Sequence, residues 1–292
     1  MGVIEVEDLV KQYKRAKEPS VKSVSFEVRE GEFFAFLGPN GAGKTTTISI
    51  LTTTLSKTAG RVRIAGFDVD TQHRQVRDHI GVIFQRPNLD RTLTAEQNIR
   101  IHACLYGMHQ YRPTYKMMPT AYRERVERLA SVVGVEGSLF TKVDKLSGGM
   151  RRKFEVVRSL MHTPHVLFLD EPTQGLDAVA RHDLWDYLDQ VRREWGTTVF
   201  LTTHYIDEAE SADTVCLIND GKIALACPPE EMKRRLGADS LEDAYVSFLK
   251  AEADDAASPV PATVGSRGGA GGGGLLLRGG PGRGGPRRGL GA

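Results

Sequence analysis

The chain has 292 residues, of which 40% are hydrophobic, and a formal net charge of +2; this length suits one large domain or two small ones. Its three cysteines, Cys104, Cys216 and Cys227, form no CxxC spacing and cannot all pair, which disfavours a disulfide-stapled secreted fold and a zinc site. The last 28 residues hold five Arg and no acid, so residues 1–264 carry 34 basic against 37 acidic side chains, which disfavours a strongly basic nucleic-acid-binding body.

Strands and helices are predicted in alternation along the chain. Alternating β-branched residues predict strands at 3–10 and 21–28, and the apolar run 33–37 predicts a buried strand. Helical spacing of apolar residues predicts a helix at 44–55. Further strands are predicted at 61–64, 81–84, 166–169, 197–202, 215–219 and 222–226, and further helices at 95–105, 122–133, 148–162 and 184–195. This order predicts an α/β fold with a mostly parallel sheet.

Three segments differ from this alternation. The helix-rich stretch at about 87–158 interrupts it and is predicted to form a separate lobe. Residues 251–263 are rich in Ala, Asp and Pro, and a Gly/Arg-rich tail follows. Since neither can bury enough apolar surface to order itself, we predict that residues 251–292 are disordered. Asp220-Gly221 is typical of a tight hairpin turn between the strands at 215–219 and 222–226.

A glycine-rich segment, the phosphate loop, lies between the buried strand at 33–37 and the helix at 44–55. It fits the pattern G-x-x-x-x-G-K-[ST] with Gly38, Pro39, Asn40, Gly41, Ala42, Gly43, Lys44 and Thr45, followed by Thr46. Glycines let backbone N–H groups close around a phosphate, and the following helix directs its positive N-terminus at that phosphate. We expect Lys44 to reach the β- and γ-phosphate oxygens and the Thr45 hydroxyl to bind Mg²⁺.

Two carboxylates, Asp170 and Glu171, follow the apolar run at 166–169. Adjacent residues at the end of a strand point in different directions, so one carboxylate can bind a metal while the other polarises a water. We assign Asp170 to Mg²⁺ and Glu171 to the general base. The alternative is that both residues only cap a strand at the surface.

The sequence Leu146-Ser147-Gly148-Gly149-Met150 resembles the LSGGQ signature of ABC (ATP-binding cassette) ATPases, with Met150 in place of Gln. Other landmarks of that family follow in order from about residue 3 to residue 236. Tyr13 resembles the aromatic residue that stacks on adenine, and Gln85 resembles the Q-loop glutamine. Asp177, in Gly175-Leu176-Asp177, resembles the D-loop aspartate, and His204 resembles the switch histidine.

The resemblance implies a P-loop NTPase of the ABC cassette type, with a RecA-like core, an antiparallel β-subdomain and an inserted helical lobe. It also implies a head-to-tail dimer, in which Ser147, Gly148 and Gly149 of one copy close over the ATP held by Lys44 of the other. Gln85 and His204 would orient water and contact the γ-phosphate, and Gln85 would also bind Mg²⁺. These roles would make the cassette, residues 1–236, an ATPase.

Each isolated landmark also has a simpler interpretation. Tyr13 could pack at the edge of a strand, and Gln85 could be a solvated loop amide. His204 could be a satisfied core histidine, and Asp177 could only begin a helix. Met150 and Gln174 depart from the family pattern without removing a catalytic group.

The region around Glu208 and Glu210, together with Leu241-Glu242-Asp243, resembles exporter-type cassettes that pair with separate ABC-2 permeases. Residues 237–250 would be their short C-terminal element. No apolar run approaches the ~20 residues needed to span a bilayer, and the acidic start does not fit a signal peptide. We therefore expect a peripheral protein at the cytoplasmic face of the membrane that drives a separate permease.

Two further interpretations concern partners. A soluble ABC ATPase acting on nucleic acid or ribosomes is the alternative function, although no long heptad array lies between Lys44 and Ser147 and only one cassette is present. No specific nucleic acid is expected, and the Gly/Arg tail is interpreted as an unstructured extension in preference to an RNA-binding segment. Residues 106–122 could be a permease-docking surface or a variable loop.

Overall fold

The computed structural model describes residues 2–85 and 88–257, with only the backbone described for residues 251–257. The strands are β1 (Ile4–Lys11), β2 (Val21–Val28), β3 (Phe33–Leu37), β4 (Ala59–Ile64), β5 (Phe67–Asp68), β6 (Ile80–Ile83), β7 (Val166–Asp170), β8 (Thr198–Thr203), β9 (Thr214–Asn219) and β10 (Lys222–Cys227). The α-helices are α1 (Lys44–Leu51), α2 (His73–His79), α3 (Ala95–Leu105), α4 (Thr120–Val132), α5 (Gly148–Ser159), α6 (Ala178–Trp195), α7 (Ile206–Ala209), α8 (Pro229–Leu236) and α9 (Leu241–Ala257).

The larger sheet has the strand order β10-β9-β3-β8-β7-β6. Its strands pair in parallel from β9 to β6, and β10 is antiparallel to β9. Side chains of β3 alternate between two cores, with Phe33, Ala35 and Leu37 in one and Phe34 and Phe36 in the other. Because both faces are covered, the strand is a continuous apolar run. The parallel pairing brings the carboxyl ends of β3, β8 and β7 to one edge, where α/β sheets bind ligands.

The smaller sheet is antiparallel, with the strand order β2-β1-β4-β5. A second antiparallel pairing joins β9 to β10 through Asp220 and Gly221, whose φ angles are 44° and 74°. Two successive positive φ angles are typical of the type I′ turn that matches the twist of a hairpin. The predicted α/β fold with a mostly parallel sheet and this hairpin are both confirmed.

Helices α3, α4 and α5 lie between β6 and β7 in the chain. The helix α3 begins with a capping box, in which the Thr94 hydroxyl accepts from the Gln97 N–H and the Gln97 side chain accepts from the Thr94 N–H. This reciprocal pair satisfies two backbone donors that the first turn leaves without helical partners. The observed bounds of α3 are the predicted ones.

Several predicted helices differ from the observed ones at one end. The helix α1 ends at Leu51 instead of residue 55, since Thr53 adopts a φ of 58° that a right-handed helix cannot contain. Helix α5 ends at Ser159 instead of residue 162. Helix α6 begins at Ala178 instead of residue 184, because Asp177 provides an N-cap that the apolar periodicity does not reveal.

The last part of the chain that the structure describes contains α8 and α9. The helix α9 crosses the boundary that the sequence places at residue 251 and ends at Ala257. Residues 2–251 belong to one compact unit. The predicted Gly/Arg tail lies outside the described residues.

A cavity of about 250 Å³ lies between α2, β6, α3 and α5. Its wall includes a cluster of three rings, in which the centroids of His102 and Tyr106 are 4.4 Å apart and those of Tyr106 and His162 are 4.1 Å apart. Arg77 and Arg158 also line it. Burial, reinforced by the charges of Arg158 and His162, lowers the pKa of His102 to about 3. His102 is therefore neutral in the folded protein at pH 7.

Candidate functional site

The phosphate loop joins the carboxyl end of β3 to the start of α1, where two glycines are required by close backbone contacts. A Cβ atom added to Gly38 would lie 2.2 Å from the Ile218 carbonyl oxygen. At Gly43, where φ is 103°, an added Cβ would lie 2.6 Å from the Ser20 carbonyl oxygen. Any larger side chain would push the loop away from β9 and from the segment before β2.

Lys44 begins α1 and is only 4% exposed. Its Nζ donates to the carbonyl oxygens of Gly38 at 2.7 Å and Pro39 at 3.1 Å, and it lies 3.8 Å from Glu171 Oε1. Burial lowers the pKa of Lys44, although the carboxylates of Glu171 and Asp170 oppose this shift. The ammonium group is thus held inside the loop, where an incoming phosphate can replace the carbonyl oxygens as its partner.

The loop forms part of a cavity of about 270 Å³. Its wall consists of Ser20, Asn40, Gly41, Gly43, Lys44, Thr45, Thr46 and Glu171. Tyr13 lies at its rim, 44% exposed, with its hydroxyl 3.3 Å from Thr46 Oγ1. An exposed ring beside a phosphate-binding loop can stack on a planar base.

Asp170 is the last residue of β7 and is 5% exposed. Its Oδ1 accepts a hydrogen bond of 2.5 Å from Thr202 Oγ1 on the adjacent strand β8. Burial raises the pKa of Asp170, partly offset by this bond and by the Lys44 charge. A bound divalent cation would favour the ionised carboxylate.

Glu171 follows Asp170 and is 7% exposed. Its φ of 45° lies in the left-handed region, which costs a non-glycine residue on the order of 1–3 kcal/mol and persists only where the surroundings enforce it. The Glu171 N–H donates to the Thr202 carbonyl oxygen at 2.9 Å. The left-handed backbone of Glu171 therefore turns the chain out of the extended path of β7, while the hydrogen bond to Thr202 keeps Glu171 next to β8.

Three predicted site residues converge on the Glu171 carboxylate. Gln85 Nε2 donates to Oε2 at 3.1 Å, and Lys44 Nζ and His204 Nδ1 lie 3.8 Å and 3.2 Å from Oε1. The His204 nitrogen is close to Oε1 without the alignment of a hydrogen bond. Gln85 Nε2 also donates to Gln174 Oε1 at 2.8 Å. Side chains from the phosphate loop, from the segment after β6 and from the segment after β8 therefore all lie next to the Glu171 carboxylate.

The signature residues lie elsewhere on the surface. Ser147 caps α5 by accepting from the Met150 N–H at 3.1 Å, and Ser147 and Gly148 are exposed. A Cβ on Gly149 would lie 3.2 Å from the Ala180 Cβ on α6. Asp177 is also exposed and caps α6 through the Ala180 N–H, 2.8 Å from Oδ1. In a single chain, these residues are available for contact with another molecule.

One buried carboxylate that the sequence does not mark as a site residue holds two segments next to the site. Glu208 is 2% exposed and accepts hydrogen bonds from the hydroxyls of Thr173 and Thr203. Burial raises the pKa of Glu208, and the two hydroxyls oppose that shift. Thr173 follows β7 and Thr203 ends β8, so Glu208 fixes the segments on either side of the Glu171 carboxylate. The buried Thr203 at the end of β8, which donates to Glu208, is the signal that could have revealed this support.

The side-chain oxygen atoms near the phosphate loop are of the kind that binds a magnesium ion. Mg²⁺ prefers one or two protein oxygens together with phosphate oxygens and water, and the Thr45 hydroxyl and the Asp170 carboxylate supply such oxygens. Because the amide nitrogen of Gln85 makes both of its hydrogen bonds, its amide oxygen remains a candidate ligand. Within the described residues, no cluster of three or more His, Cys, Asp or Glu side chains forms a site that could hold a metal by itself.

The sequence profile of the ABC transporter family matches residues 21–174. The chain belongs to the ABC transporter family. A probable multidrug ABC transporter ATP-binding protein, YbhF, of Escherichia coli is 32% identical over 85% of this chain, which spans 42% of that relative's length. A Nod factor export ATP-binding protein I of Ralstonia nicotianae is 38% identical over 82% of this chain and 72% of the relative.

Solved structures agree with this membership. An ATP-binding subunit of an ABC transporter is 27% identical, with a TM-score of 0.73 over 84% of this chain and 99% of that one. A dimeric ATP-binding cassette, MJ0796, bound to ADP and Pi in a post-hydrolysis state, is 28% identical, with a TM-score of 0.67 over 76% of this chain and 97% of that one. The predicted P-loop ABC cassette fold and ABC ATP-binding identity are thereby confirmed. No helix among residues 2–85 and 88–257 is both long and apolar enough to cross a membrane.

Proposed function

We propose that this ABC cassette binds ATP and hydrolyses it to drive export through a separate ABC-2-like permease at the cytoplasmic face of the membrane. The convergence of Lys44, Gln85 and His204 on Glu171 beside the phosphate loop is the observation that carries the proposal. The names of the relatives, a multidrug transporter subunit and a Nod factor export protein, favour export over the nucleic-acid alternative.

The site residues divide the reaction among them. Lys44 binds the β- and γ-phosphate oxygens, and Tyr13 stacks on adenine. The Glu171 carboxylate takes a proton from a water while that water's oxygen bonds to the γ-phosphorus and the bond to the β-phosphate oxygen breaks, which yields ADP and phosphate. Gln85 and His204 orient the water and the γ-phosphate. Mg²⁺, held by Thr45, Asp170 and Gln85, would neutralise phosphate charge.

The exposed signature residues support pairing with a second copy. Ser147 and Gly148 present a hydroxyl and the N-terminus of α5 at the surface, and a helix N-terminus favours a phosphate. A head-to-tail arrangement would bring them to the γ-phosphate held by Lys44 of the other copy. Binding of ATP would then close the dimer, and release of phosphate would reopen it and move the permease.

ATP turnover by the full chain tests the chemistry. Glu171→Gln should lower kcat by on the order of 10²–10⁴-fold, because a general base contributes about that factor, and should accumulate an ATP-bound dimer in size-exclusion chromatography. Glu210→Gln, at an exposed glutamate, is the matched control and should turn over normally. Normal turnover by Glu171→Gln would refute the assignment of the base.

Purification of the tagged chain from membranes tests the partner. Mass spectrometry should identify an integral membrane protein of the ABC-2 permease type as its main companion. Ribosomal proteins or nucleic acid in its place would support the soluble alternative. The Lys44→Ala variant should still recover the permease if docking does not require nucleotide.

A further inference from the structure

Arg152, on the helix that the signature begins, connects the two backbone segments that carry Gln85 and Glu171. Its side chain is 4% exposed. Arg152 Nε donates to the Pro172 carbonyl oxygen at 2.8 Å, and Nη1 donates to the Phe84 carbonyl oxygen at 2.6 Å. Since Phe84 precedes Gln85 and Pro172 follows Glu171, one guanidinium group binds both chain segments next to their functional residues.

Glu155, one turn further along α5, completes this connection. Its Oε2 accepts from Arg152 Nη1 at 3.0 Å, and its Oε1 accepts from the Asn88 N–H at 2.6 Å. The Glu155 side chain is 2% exposed. The buried pair therefore holds the backbone both before Gln85, at Phe84, and after it, at Asn88.

The pairing of β6 with β7 does not extend as far as Gln85 and Glu171. The last backbone pairing of β6 with β7 joins Ile83 to Leu169, and Gln85 and Glu171 lie two residues beyond it. A guanidinium group is planar and its donors are fixed relative to one another, so it sets the separation of two bound carbonyl oxygens more rigidly than an ammonium group does. Gln85 and Glu171 directly neighbour the residues that carry these two carbonyl oxygens. The separation of the two carbonyl oxygens therefore constrains the hydrogen bond of 3.1 Å from Gln85 Nε2 to Glu171 Oε2.

We propose that Arg152 is a positioning residue that fixes the Gln85 amide against the Glu171 carboxylate by binding the Phe84 and Pro172 carbonyl oxygens. This rests on the proposed ATPase function of the same site. Arg152 makes no hydrogen bond to either functional side chain, so it acts on the turnover step through their backbone.

The chain offers a matched control at the other end of α5. Arg125 Nε donates to the Met161 carbonyl oxygen at 2.6 Å, and its Nη2 donates to the Leu160 carbonyl oxygen at 2.7 Å. Arg125→Gln therefore removes the same kind of bonds as Arg152→Gln, without contact with the residues flanking Gln85 or Glu171. The full-length variants Arg152→Gln, Arg152→Lys and Arg125→Gln are compared for kcat, KM, affinity for a fluorescent ATP analogue, and Tm.

Arg152→Gln should lower kcat by on the order of 100-fold, because small misplacement of reacting groups costs about that factor. Affinity for the ATP analogue should change less than about threefold, since the phosphate loop is untouched. Arg152→Lys should recover part of the lost kcat, because an ammonium group still donates to one carbonyl oxygen. Arg125→Gln should lower Tm and leave kcat within about threefold of the parent.

An equal loss of kcat in Arg152→Gln and Arg125→Gln, in proportion to the loss of Tm, would overturn the proposal and leave Arg152 a structural residue. If Arg152→Gln does not fold, Arg152→Lys and Glu155→Gln test the proposal in its place. Full turnover in both variants would refute it. A loss of about tenfold or more in kcat, with unchanged affinity for the ATP analogue, would support it. Absence of ATPase activity in the parent chain and in its complex with the permease would refute the proposed function instead.

Discussion

Replacing His102 with glutamine removes a neutral ring from the cavity between α2, β6, α3 and α5, and should reduce the sensitivity of the protein to mild acid. The pKa of His102 in the folded protein is about 3, against 6.5 for an unperturbed histidine. As the pH falls from about 6.5 towards 3, the unfolded chain therefore binds a proton at this ring and the folded chain does not. The free energy of unfolding consequently decreases with decreasing pH across this range.

The magnitude follows from the two pKa values. Between pH 7.5 and pH 5.5, proton binding by His102 in the unfolded chain should lower the free energy of unfolding by about 1.4 kcal/mol. At pH 5.5 this result depends almost entirely on the unfolded pKa, since a folded pKa anywhere near 3 leaves the ring unprotonated. His162, whose pKa burial also lowers, adds a further loss of the same sign, and it is present in the variant as well.

Urea denaturation at the two pH values, followed by circular dichroism, measures the effect. His102→Gln should lose about 1.4 kcal/mol less than the parent on going from pH 7.5 to pH 5.5, even if the variant is less stable at both. A substitution at the 77%-exposed His182 provides the control for removal of a surface histidine. A pH difference in His102→Gln equal to that of the parent would refute the inference that this ring is held neutral.

Three further predictions concern the nucleotide site. Lys44→Ala should abolish binding of a fluorescent ATP analogue, because the phosphate loses its buried cation; unchanged affinity would contradict the phosphate-loop assignment. Tyr13→Ala should weaken that affinity on the order of tenfold through loss of stacking, whereas Tyr13→Phe should bind normally. Equal losses in the two would mean that the contact with Thr46 matters more than the ring. Gly43→Ala should lower the free energy of unfolding by about 1–3 kcal/mol because of its φ of 103° and the nearby Ser20 carbonyl oxygen, and an unchanged urea midpoint would disprove this.

The elements and motifs that the sequence reveals are those in which the relevant residues are close in the chain. The phosphate loop and the carboxylates Asp170 and Glu171 each occupy consecutive positions, and the apolar runs at β3, β7 and β8 mark a sheet buried on both faces. The end of α1 was misplaced because apolar spacing does not reveal the positive φ of Thr53, which ends the helix.

Contacts between distant residues could not be predicted where no family landmark marks both partners. Gln174 holds the Gln85 amide across 89 positions of sequence, although the sequence marks it only as a departure from a family pattern. Arg152 binds carbonyl oxygens before Gln85 and after Glu171. Because every residue has a backbone carbonyl group, the sequence does not show which of them accepts from a distant side chain. Such contacts depend on the order of β6, β7 and β8 in the sheet, which periodicity alone does not give.

The hairpin turn between β9 and β10 has a thermodynamic consequence for nucleotide affinity. The Gly221 N–H donates to the Ala42 carbonyl oxygen at 3.1 Å, and Ile218 and Ser20 pack against Gly38 and Gly43. The phosphate loop is therefore preorganised by neighbours that are far away in the sequence. Ordering a flexible loop commonly costs about 1–2 kcal/mol of free energy per residue in lost conformational entropy. Because the loop is ordered before ATP binds, this cost does not reduce the affinity for ATP.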